Sequence, residues 1–172
     1  VLPLQRHLAF ETRDLDEARE RVARVFCPHR LDFAHPGRLA ARQHVARLGT
    51  LALSYIAYGA AVRIDPGTLD SFFLIHLVHS GRSEISLGRR TLVAGAQMGS
   101  VTSPTLALRM HWSADCAHLV LKIERAALER HLADLLGEIV VRPIEFAPDL
   151  PIDAGPGAGY RRLVDFVVRE LD

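Results

Sequence analysis

Apolar residues along the 172-residue chain change their period twice, and the two changes divide it into three parts. In the first part Leu15, Ala18, Val22, Val25 and Phe26 recur at helical spacing. Asp14 can cap this segment, with Glu17 three residues on as in a capping box. The pattern predicts a helix over 14–27; Pro28 argues against its continuing, and His35 to Gly37 reads as a turn.

From about residue 40 to 123 the period becomes two. The expected strands are Gln43–Arg47, Leu51–Tyr58, Ala61–Asp65, Phe72–His79, Ser83–Leu87, Gly99–Ser103, Leu106–Trp112 and His118–Ile123. They are short and divided by glycines, prolines and small polar residues, which suits a sandwich or barrel. Leu106, Leu108, Met110 and Trp112 alternate with Ala107, Arg109 and His111, so one face of that strand is buried and the other wetter. Leu119, Leu121 and Ile123 are set in the same way against His118, Val120 and Lys122.

A helical period returns at Glu124. Leu128, Leu132, Leu135 and Leu136 form a stripe over 124–137, and Gly137 is a natural stop. After a connection rich in proline and glycine, Tyr160, Leu163, Val164, Val167 and Leu171 share one face of a helix over 157–172. The expected architecture is a single domain over 1–172, mainly β, with about eight strands in a barrel, one helix before it and two after.

Composition narrows the function more by exclusion than by pointing. A formal charge of +1 supplies no field for nucleic acid or an anionic membrane. No apolar run approaches the ~18 residues of a membrane helix. Cys27 and Cys116 match no zinc spacing and read as reduced thiols of a cytoplasmic protein. The chain opens on Val and closes inside an amphipathic pattern at Arg169 to Asp172, as a trimmed piece of a longer parent would.

The densest candidate chemistry is Phe72 to Glu84, which sets His76 and His79 on an apolar strand before a glycine turn and Glu84. With His111 these residues suggest a metal-dependent barrel enzyme. The spacing speaks against it: residues two apart on a strand share a face, and His76 and His79 are three apart. Glu84 falls with Arg82 and Ser86 on a wet face, and His111 lies away from the Trp112 stripe. No metal, cofactor or catalytic residue is expected, and His76 reads as a hydrogen-bonded core or pocket histidine.

Asp14 to Ala18, Phe26 to Leu31, Leu48 to Leu53, Tyr58-Gly59, Val62 to Gly67 and Phe72 to Gly81 carry a likeness in order and spacing. So do Ser103-Pro104, Trp112 to Cys116, Leu128-Glu129 and Leu135 to Gly137. Through them the chain resembles the N-terminal effector-binding and dimerisation domain of AraC/XylS family transcription regulators, in the branch with a metal-free, cupin-like barrel. The resemblance implies a double-stranded β-helix (jelly roll), a small-molecule effector in the barrel, and a homodimer. It also implies DNA contact only through a C-terminal helix-turn-helix region that this sequence does not include, and no enzyme activity. Candidate effector contacts are Arg42, His44, Tyr55, His76 and Trp112, with Arg42 or His44 able to pair with an organic acid. Dimerisation is expected on the stripe Tyr160, Leu163, Val164, Val167 and Leu171. Two alternatives stand beside this reading: the metal-dependent enzyme using His76, His79, Glu84 and His111, and a ligand-free dimerisation module with a self-filled barrel.

Overall fold

A computed structural model describes residues 2–172. After a short 3-10 turn at Gln5–His7 the chain forms β1 (Leu8–Thr12), α1 (Leu15–Val25), β2 (Arg30–Phe33), β3 (Ala41–Leu48) and β4 (Leu51–Ala57). Next come β5 (Val62–Gly67), β6 (Phe72–Ser80), β7 (Ser83–Leu87), β8 (Arg90–Ala94), β9 (Met98–Thr102), β10 (Leu108–Trp112) and β11 (Ala117–Glu124). The end of the chain holds α2 (Arg125–Leu136), β12 (Asp149–Pro151) and α3 (Gly155–Leu171).

The strands pair antiparallel into two sheets, one of seven strands in the order β1-β3-β4-β11-β6-β9-β12 and one of five in the order β2-β5-β10-β7-β8. The facing surfaces enclose the main core, giving a cupin-like barrel. Ile56, Leu74, Val78 and Val120 from the larger sheet meet Val62, Ile64, Ile85, Leu108, Met110 and Trp112 from the smaller. A tight turn carries the chain from the larger sheet to the smaller. Between β6 and β7, Gly81 has φ +66°, and a Cβ there would lie 2.7 Å from the Cys116 backbone, so only glycine fits.

The Asp14 carboxylate accepts a hydrogen bond from the Glu17 N–H at 2.8 Å and starts α1, whose Ala18 and Val22 enter the main core. Through Val22 the helix forms part of the wall of the space between the sheets. Lys122 Nζ donates to the Val25 carbonyl at 2.8 Å and ties the helix end to β11. Beyond it the chain continues through Phe26, Cys27 and His29 along the rim of the core.

A second apolar cluster lies on the outer face of the seven-stranded sheet. Ala46, Leu53, Leu77 and Leu119 are covered there by Val164 and Val168 of α3, with Tyr160, Val167 and Leu171 packed at its margin. Gly157 lets α3 approach, since a Cβ at that position would sit 1.8 Å from the Pro151 carbonyl oxygen. The central strands of this sheet are therefore buried on both faces. Helix α2, by contrast, buries no residue, and Leu135, Leu136, Ile139 and Val141 are exposed.

Among the described residues, twelve strands replace the expected eight or so. The additional ones, β1, β2, β8 and β12, are three to five residues long and lie at or beside sheet edges. Such segments are too short and too mixed for period-two alternation to declare itself.

Candidate functional site: a cavity between the sheets

Strand parity determines which side chains face the barrel interior. Leu74 and Val78 of β6 point inward, so His76 does too, and His79 points outward. On β11, Val120 points inward and brings His118 with it. On β10 the inward set is Leu108, Met110 and Trp112.

Of these inward residues, Leu74, His76, Val120, Leu108, Met110 and Trp112 border a cavity of about 50 Å³ between the sheets. Its walls include Ile56, Leu74 and Val120 on one side and Ile64, Met110 and Trp112 on the other. Val22, Phe26, Cys27 and His29 close it. A space of this size accommodates a few water molecules. An aromatic or aliphatic guest needs the α1 cap to yield.

His76 and His118 are both buried, their Nδ1 atoms 3.3 Å apart. The Thr102 hydroxyl donates to the Leu74 carbonyl at 3.1 Å, which leaves its lone pair to accept from His76 Nε2 at 3.4 Å. His76 Nδ1 then accepts from His118 Nδ1–H, and His118 Nε2 is left as a buried acceptor with no partner. Burial holds both rings neutral, lowering the His76 pKa to about 4 and that of His118 well below the ordinary value. His118 also stacks on the Trp112 indole at 3.9 Å between centroids.

The five expected effector contacts divide between two faces. His76 and Trp112 line the cavity, whereas Arg42, His44 and Tyr55 do not. Arg42 lies near the sheet edge in an ion pair with Glu11. His44 and Tyr55, cross-strand partners, face outward, and the His44 Nδ1–H donates to the Pro3 carbonyl at 2.6 Å. Tyr55 meets the His79 ring edge-on, under the margin of α3. An organic acid thus loses both of its expected anchors inside the barrel. The physical reason is that α3 buries the outer face, so that apolar and aromatic residues occupy both faces and parity alone does not tell inside from outside.

The four residues of the metal alternative are also dispersed. His76 is interior and His79 lies on the outer face of the same sheet. Glu84 and His111 pair across β7 and β10 on the outer face of the other sheet. Among the described residues, no group of three His, Cys, Asp or Glu is close enough to hold an ion. The side chains present do not fit the metal that cupin barrels commonly carry.

The expected dimerisation stripe is split by the packing of α3. Val164 is buried, and Tyr160, Val167 and Leu171 are turned against the sheet. Leu163 is 59% exposed, with Phe166 exposed near it. The interior residues missed by the pattern are His118, Gln43 and Ser54. The signal for them was present: all three share parity with an inward apolar neighbour. Polar character concealed them. Each nevertheless has a buried atom without a partner.

Comparison with known proteins yields three findings. The family model of the AraC-binding-like domain matches residues 18–172. The probable thc operon regulatory protein of Rhodococcus erythropolis is 29% identical over 163 residues, covering 92% of this chain and 49% of that protein. The crystal structure of the AraC-like transcriptional activator CuxR superposes with a TM-score of 0.56 at 20% identity, over 74% of this chain and 51% of that one. The chain therefore spans about half the length of these proteins. Among the described residues, no helix is long and apolar enough to cross a membrane.

Proposed function

We propose that this chain, which belongs to the AraC-binding-like domain family, is the sensor half of a transcription regulator and receives a small molecule in the cavity between its two sheets. The observation that carries the reading is the cavity itself: apolar walls from both sheets, with Val22 of α1 and Phe26, Cys27 and His29 completing the lining. A guest there changes how α1 seats, because Val22 and Phe26 are part of the wall. The shift passed onward can be no larger than the guest's differential affinity for the two seatings of α1. A DNA-binding region elsewhere in a longer protein reads that shift.

The same reading includes a homodimer. Leu163 and Phe166 on α3, with Leu135 and Leu136 on α2, supply exposed apolar surface for it. The modest cavity volume favours one alternative, a dimerisation module whose barrel is filled by its own side chains.

A cavity-filling substitution separates the two. Val120→Phe places a ring in the space while keeping the strand apolar. In a longer parent protein driving a promoter reporter, the variant should retain basal output and lose response to small molecules. A full response in Val120→Phe excludes this cavity as the sensor site. Absence of any response in the unmodified parent, across aromatic and aliphatic compounds, favours the self-filled module.

A further inference from the structure

Three features of the cavity restrict the chemistry of its guest, and they deepen the sensing reading on which they rest. The first is charge. No Asp, Glu, Lys or Arg is among the residues that line it. The nearby cation Lys122 is bonded to the Val25 carbonyl and lies 4.5 Å over the Phe72 ring. A carboxylate entering this space would surrender its hydration with no opposite charge to meet, which a buried ion does not tolerate.

The second feature is that His76 is already occupied. Its Nε2 donates to Thr102 and its Nδ1 accepts from His118, so it offers a guest a wall rather than a hydrogen bond. The third is that two other lining residues each keep a buried ring nitrogen without a partner. The His29 Nδ1–H donates to the Cys27 carbonyl at 2.9 Å, so Nε2 of the neutral ring is an acceptor, and it is unpaired. Burial favours that neutral ring, lowering the pKa of His29. Trp112 Nε1–H is an unpaired donor. An unsatisfied acceptor and an unsatisfied donor on one apolar cavity are costly to maintain unless something fills them.

We infer that the cavity takes an uncharged, largely apolar molecule bearing one hydroxyl or amide-type group, which donates to His29 Nε2 and accepts from Trp112 Nε1–H. Carboxylic acids are excluded in their ionised form. His29 and Trp112 are the specificity-determining pair, and neither needs to titrate for recognition.

Trp112 is the sole tryptophan, so its indole N–H gives a single cross-peak in a ¹⁵N–¹H spectrum and reports the cavity directly. The probes are toluene, p-cresol and p-toluate, matched in the methyl-bearing ring and differing in the polar group. At neutral pH p-cresol should bind at least about tenfold more tightly than toluene, the net worth of two modest buried hydrogen bonds. It should also move the indole proton downfield, and p-toluate should leave the peak unmoved. His29→Phe, at a half-buried position that need not disturb the fold, should lower p-cresol affinity severalfold towards that of toluene, with the Trp112 N–H bond left in place, while toluene binding stays within about twofold. If p-cresol binds no better than toluene, the two nitrogens are satisfied by water alone and the inference falls. If p-toluate shifts the indole peak and p-cresol does not, the ligand class is wrong while the sensor reading stands. If none of the three perturbs the peak, both fall together.

Discussion

The buried imidazole pair predicts a specific acid sensitivity. His76 is neutral in the folded protein, with its pKa lowered by burial to about 4 from an ordinary 6.5. The unfolded chain therefore binds a proton on this residue at a higher pH than the folded chain does. Stability from this source is complete above pH 6.5 and falls as the pH drops from 6.5 towards 4. Below that the loss is complete. A displacement of this size corresponds to roughly 3 kcal/mol, a large share of the 5–15 kcal/mol that holds a typical domain together. His118 acts in the same direction, as do the more exposed His29 and His79, whose pKa values are also lowered. Asp115 titrates below this window, since Ser113 holds its pKa under the usual carboxylate value. Urea unfolding at several pH values between 7 and 4.5, followed by Trp112 fluorescence, measures the slope. His76→Gln keeps a neutral hydrogen-bonding group and removes one titration, so its stability should fall less steeply than the parent's over the same range. Equal slopes in parent and variant would refute the claim that His76 is buried neutral.

Four further outcomes follow from particular contacts. Gly157→Ala should lower stability by about 1–3 kcal/mol in thermal melts, because its Cβ collides with the Pro151 carbonyl and lifts α3 from the sheet. Asp14→Ala should cost about 1 kcal/mol in urea unfolding by removing the bond to the Glu17 amide, and it should raise amide exchange in α1 first. Leu163→Glu should leave the monomer fold within about 0.5 kcal/mol of the parent, because the residue is exposed, while converting a dimer to a monomer in sedimentation. Val164→Glu, one residue on, should instead unseat α3 by burying a carboxylate in the second core.

Period and punctuation made much of the barrel legible. Ser83–Leu87 has the ends its alternation predicts, and the Asp14 cap with Glu17 three residues on marks the start of α1. The candidate site was legible only in part, and the cause is a layer that strand pattern does not describe. Once α3 covers the outer sheet face, Tyr55 outside and Trp112 inside are equally buried, so an aromatic residue on a strand carries no sign of which side it faces. His29 was hidden for a different reason. It lies outside the regular elements, and only the packing of the segment after α1 over the barrel brings it to the cavity.

A crystal structure of the domain with a compound that alters promoter output by a longer protein containing it shows where the small molecule sits. It should lie between the sheets, bounded by Phe26, His29, His76 and Trp112, with α1 displaced outward. Density for it on the outer face beside His44, Tyr55 and His79, or against α2 with the cavity unchanged, would contradict this placement.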